Sequence, residues 1–193
     1  TSQGWNVVVL DLPHTSLTNR LETNQDVAHY VLYEANEPAL QQMLTLIQTR
    51  HGPCGAYLHL HPPMPEVQRA DDILPEFEQE IVTNVFMIAK HLAEPLTNAS
   101  QLGRSWFCTI TQTDGQCGLG QQRSFPAISG GLVGLTKALN LEWERVFCRS
   151  IDLDDQLPTA QQVAYILAEL HDTNRLVSEV GYHADQRLTL VSE

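Results

Sequence analysis

The sequence predicts an α/β fold in three layers: a mostly parallel sheet, helices over both of its faces, and a hairpin at the C-terminus. Three observations predict it. Short runs rich in β-branched and aromatic residues alternate with longer stretches of helical spacing. Several of these runs are apolar on consecutive residues, the pattern of strands buried on both faces. The chain closes on two β-rich runs around the polar turn Ala184-Asp185-Gln186.

The first run, Asn6 to Leu12, is apolar and stops at Pro13. Residues 13–26 are polar and lack helical periodicity, so the helix expected after a first parallel strand is shortened or lost. Val27 to Tyr33 is a second strand. Asn36 is a helix cap, and Leu40, Met43, Leu44 and Ile47 recur at helical spacing before Gly52-Pro53 ends the element. Ala56 to His61 is a third strand, closed by Pro62-Pro63. The acidic segment Met64 to Glu80 is the best candidate for a mobile surface loop.

A long helix is predicted from about Pro75 to His91, with Ile81, Val85, Ile88, Ala89 and Leu92 as its apolar stripe. Ser105 to Thr111 is a fourth strand, Ser124 to Trp143 a helix with a glycine-rich first half, and Val146 to Leu153 a fifth strand. Pro158 opens the last helix, whose face carries Val163, Ile166, Leu167 and Leu170. Val180 to His183 and Arg187 to Val191 form the hairpin.

The chain has 193 residues and a formal net charge of −12, with acidic residues spread along it. That surface repels phosphate backbones and argues against nucleic acid. No apolar run approaches the roughly 20 residues a bilayer span needs, and no signal-peptide pattern opens the chain. Cys54, Cys108, Cys117 and Cys148 form no C-x-x-C pair, and most sit in or beside apolar runs. Reduced thiols in a cytoplasmic protein are the expectation. Residues 1–193 are read as one unit, and a start at Thr1 without Met suits a piece of a longer polypeptide.

The densest motif runs from Phe125 to Glu142. Its second part, Gly130-Gly-Leu-Val-Gly-Leu-Thr-Lys-Ala-Leu-Asn-Leu-Glu142, resembles without gaps the active-site helix of the short-chain dehydrogenases/reductases. The resemblance fixes the register. At the position of the family's catalytic tyrosine stands Phe125, which has no oxygen to donate a proton. At the position of its lysine stands Ser129, which has no cation. Counting back to the family's serine reaches Gln112, with Thr111 beside it. The family's structural asparagine corresponds to Asn84, and Lys137 belongs to a stretch beyond the catalytic lysine. One survivor of four does not run the reaction.

The cofactor signature is also missing. A dinucleotide site needs glycines after the first strand so that backbone can approach the pyrophosphate. Leu10 to Leu17 holds none, and Leu60-His61-Pro62 replaces the turn beside the nicotinamide. Gly115, Gly118 and Gly120 cluster after the wrong strand.

The stretch from Gly130 to Leu153, and the tail Glu179 to Val191, are similar to the N-terminal, structural half of the ketoreductases in modular polyketide and polyunsaturated fatty acid synthases. The run Leu141-Glu-Trp143, followed by Cys148-Arg-Ser-Ile-Asp-Leu153, is most like the fatty acid branch. This resemblance implies a truncated Rossmann-like fold with no catalytic, cofactor-binding or metal-binding residue of its own. It implies a chain that docks on and stabilises a catalytic half. That half would bind NADP and reduce a β-ketoacyl group carried by an acyl carrier protein. The alternative is a divergent short-chain reductase using Gln112, Ser124 or Tyr57.

His59 and His61 share a strand face and with His14 or His29 could ligate a metal. Structural histidines are the simpler expectation. Cys117 could be a reactive thiol, but no cation is near it in sequence apart from Arg123, so an inert thiol is expected. Glu142 and Asp152 are expected to be structural, and Phe125 to fill the core.

Overall fold

The computed structural model describes residues 5–13, 27–34, 36–61, 76–120, 125 and 127–191. Among them, β1 (Val8–Asp11) and β2 (Ala28–Val31) come first, followed by α1 (Glu37–His51), β3 (Ala56–Leu60) and α2 (Glu76–Ala99). Then come β4 (Trp106–Thr113), α3 (Ile128–Glu142), β5 (Phe147–Asp154), α4 (Thr159–His171), β6 (Glu179–His183) and β7 (Gln186–Leu188). Residues 14–26, where a helix is expected to be lost, and 62–75, most of the expected loop, lie outside the described residues.

The strands form a five-stranded sheet in the order β3-β4-β5-β6-β7 and a separate pair, β1-β2. All pairings are parallel except β6–β7. The hairpin turns through Ala184 and Asp185, with Ala184 in the left-handed region at φ 50°. Its second strand ends at Leu188, short of the Val191 expected from apolar content.

Two clusters of apolar side chains cover the sheet, one on each face. On one face α1, α2 and α3 supply Leu40, Leu44, Ile81, Val85, Ile88 and Leu132, packed on Phe107 and Cys148. On the other, α4 supplies Leu170 against Cys108, Ile110, Ile151 and Leu153. The alternation along β4 and β5 therefore sorts odd from even positions between the two layers.

Asn36 caps α1 as expected, its Oδ1 accepting the N–H of Ala39 at 2.9 Å. Gly52 ends the helix with a φ of 92°. Helix α2 begins inside the expected loop, at Glu76, and runs past His91 to Ala99. Pro95 lies within it. The ring removes one hydrogen bond at about 3 kcal/mol. The apolar stripe continues to Leu96, fully buried, and that packing outweighs the loss.

Candidate functional site

The carboxyl half of the sheet face under α3 is polar. Phe107 points into the α1–α2–α3 layer, so Thr109, Thr111 and Thr113 point the same way. On β5, Asp152 shares the face of Cys148. Each of these groups is buried and bonded. Thr109 and Thr136 of α3 join their hydroxyls at 2.8 Å. Asp152, 2% exposed, accepts four hydrogen bonds. Its Oδ1 takes the Thr111 hydroxyl at 2.9 Å and the Thr113 N–H at 3.1 Å. Its Oδ2 takes the Thr113 hydroxyl at 2.6 Å and the Cys117 N–H at 2.9 Å. Burial pushes the Asp152 carboxyl up, although all four bonds favour its charged form.

A second carboxyl group folds the loop after β4. Asp114 Oδ1 accepts the N–H groups of Gln116 and Gly118 at 2.8 and 2.9 Å, and Oδ2 that of Gly120 at 2.8 Å. Burial raises this carboxyl, but the backbone donors outweigh it and leave it below its ordinary value. The glycines that cluster in the sequence thus wrap a carboxylate of their own chain. The loop then lies across the ends of β5 and β6. Asp114 bridges to Asp154, and His183 Nδ1 meets Asp154 Oδ2 at 2.9 Å and the Asp114 carbonyl at 3.0 Å.

Tyr57 is partly buried against this core and stacks on Phe107 with ring centroids 5.1 Å apart. Gln112 points to the opposite face of the sheet, where its Nε2 donates to Gln162 of α4 at 2.7 Å. It is therefore not turned toward α3, and the threonines flanking it are. Phe125 and Ser129 are each half-buried; Phe125 does not join the fully buried core expected of it. Ser129 sits in the first turn of α3, one turn before buried Leu132. Lys137 reaches the other way and pairs with Glu179 at 3.0 Å. Asn84 is 4% exposed, and its Nδ2 meets no partner among the described residues. Ser124 and His14 lie outside the described residues.

His59 and His61 do share a face. His59 Nε2 and His61 Nδ1 are 3.2 Å apart, and each residue is 4% exposed. Burial depresses both, His59 to about 3 and His61 to about 4. His29 is engaged elsewhere, with Asp11 Oδ2 at 2.9 Å. Among the described residues no group of three or more His, Cys, Asp or Glu side chains could hold a metal ion. The Cys117 thiol is pushed up to about 12 by burial, then by the carboxylates of Asp152, Glu179 and Asp114. That direction disfavours the thiolate, the reactive form. Glu142 is exposed at the end of α3, far in character from the buried Asp152.

A dinucleotide does not fit the described residues at the end of β1. A pyrophosphate there needs bare backbone N–H groups. The position holds Asp11, 2% exposed, whose carboxylate is paired with His29 and would repel a phosphate.

One feature is not readable from spacing. Arg149 of β5 is fully buried and donates to Glu169, to Asp172 Oδ2 at 2.7 Å, and to the carbonyls of Asn174 and Val177. Arg187 of β7 reaches Glu169 at 2.6 Å and Asp172 at 2.9 Å, and the Tyr182 hydroxyl donates to Glu169 at 2.5 Å. These residues tie β5, α4 and the hairpin together. Only an arginine in the β-rich run Val146 to Leu153 hints at it in the sequence.

Comparison with solved structures places this architecture. The chain aligns with an apo SCOR enzyme from Clostridium thermocellum at a TM-score of 0.66 and 11% identity, over 100% of this chain and 90% of that one. An acetoin dehydrogenase from Enterobacter cloacae gives 0.62 at 16% identity, over 89% and 80%. A 3-ketoacyl-(acyl-carrier-protein) reductase from Brucella melitensis, complexed with NADH, gives 0.59 at 17%, over 79% and 65%. The chain has the Rossmann-like fold of the short-chain reductases. It spans less than two thirds of the Brucella reductase. No family model and no curated protein matches it. Phe125 precedes α3, and Ser129 stands in its first turn.

Proposed function

We propose that this chain is the non-catalytic, structural half of a ketoreductase, within a polyunsaturated fatty acid or polyketide synthase. It would dock on and stabilise the NADPH-dependent half that reduces the β-ketoacyl group. The observation that carries this reading is the loop after β4. Its backbone lies over the ends of β5 and β6, and two buried carboxyl groups, Asp114 and Asp152, use their hydrogen bonds to hold it there. Polar groups that a reductase would aim at substrate are spent on one another. Phe125 and Ser129 supply neither the phenol nor the cation such chemistry needs.

The docking surface of this reading is apolar and includes the terminal segment. Leu190 is 43% exposed and Val191 82%. Leu190, with Leu188 and Leu119, borders a groove of about 220 Å³ that carries no charged side chain, in a chain of net charge −12. The partners would be the catalytic half and, through the synthase, its acyl carrier protein. A cytoplasmic setting fits four free thiols. Among the described residues no helix is long and apolar enough to cross a membrane.

The alternative is a divergent reductase. Gln112 faces α4 and so loses its claim to the serine's role. Titration with NADPH, followed by fluorescence, tests both readings. No saturation is expected in the micromolar range; saturable binding by this chain alone would overturn the structural role.

A further inference from the structure

We draw no further inference here: the strongest candidate, the buried His59–His61 pair at the carboxyl end of β3, supplies two ligands where a metal site needs three or four, and as a proton-driven switch it rests on its titration alone.

Discussion

Gly115 and Gly181 pass with no room for a side chain on either. A Cβ on Gly115 would lie 2.0 Å from the carbonyl oxygen of Tyr182, and one on Gly181 would lie 2.1 Å from the carbonyl oxygen of Gly115. The obstacles are backbone atoms of a paired strand and a pinned loop, so neither yields cheaply. Gly181→Ala is expected to cost about 1–3 kcal/mol, as overpacking does. Thermal unfolding measures this. Gly55→Ala is the control, because nothing lies within 4 Å of its added Cβ. Equal melting temperatures for the two variants would mean that the loop does not rest on β6.

Asp152→Asn keeps the shape of the side chain but turns an amide N–H₂ toward groups that themselves donate. The Cys117 N–H and the Thr113 hydroxyl both point at Oδ2. A loss of about 2 kcal/mol is expected, the range for hydrogen bonds to a charged group. The loop should loosen with it. Removing the charge also removes one of the causes that hold the Cys117 thiol up. Alkylation of Cys117, followed by mass spectrometry, should therefore run faster in the variant. An unchanged rate would show that Asp152 does not hold the loop.

Arg149→Met removes the only fully buried guanidinium among the described residues and leaves Glu169 and Asp172 without it. Removing one partner of a buried ion pair costs about 3–5 kcal/mol, and Arg187, which still reaches both carboxylates, holds the loss toward the lower end. Adding Glu169→Gln to the same chain should recover part of that loss, since the carboxylate that lost one of its two guanidinium partners is then gone. Arg187 would still reach the new amide. Chemical denaturation of the single and double variants gives the coupling directly. A double variant less stable than the single by the full cost of Glu169→Gln alone would mean that the two groups act independently.

The histidine pair predicts how stability depends on pH. Both folded values, about 3 and about 4, lie below the ordinary 6.5. The unfolded chain takes up these protons as the pH falls through 6.5, and the folded chain does not. Stability from this source is therefore complete above 6.5 and is lost as the pH falls toward 4. Well below 6.5 the slope approaches about 2.7 kcal/mol per pH unit for two histidines, from 1.36 kcal/mol per proton. Between pH 6.5 and 5 few carboxyl groups titrate, and the six other histidines are common to the variant and the unsubstituted chain, so the difference between the two isolates the effect. A His59→Phe variant should lose about half of this slope in melting curves over that window. A slope equal to that of the unsubstituted chain would show that His59 takes up its proton in the folded state.

Much of the fold is legible in local pattern. The Asn36 cap, the stripe from Ile81 to Leu92, the apolar strands and the hairpin turn are each fixed by neighbours within a few residues. Boundaries were less legible where packing overrules local preference. The helix predicted to run to His91 continues through Pro95 to Ala99, because Leu96 has a place in the core. At the candidate site, the motif's register set Phe125 and Ser129 against the tyrosine and lysine of the family that it resembles. It could not tell that Gln112 and Thr111, adjacent in sequence, face opposite layers with different partners.

By itself the sequence determined the layered α/β class, the order of its elements and the presence of Phe125 and Ser129 where the motif it resembles carries a tyrosine and a lysine. These depend on periodicity and residue identity, which act over short range. Only the tertiary structure decided how the region after β4 is arranged. Asp114 and Asp152 are unremarkable acids in the chain, and their roles arise because β4, β5 and β6 lie side by side. The same holds for Arg149, whose partners stand 20 to 28 residues away and meet only once α4 and the hairpin pack on β5. Hydrogen bonds of that separation follow from strand order, and strand order is a property of the folded sheet.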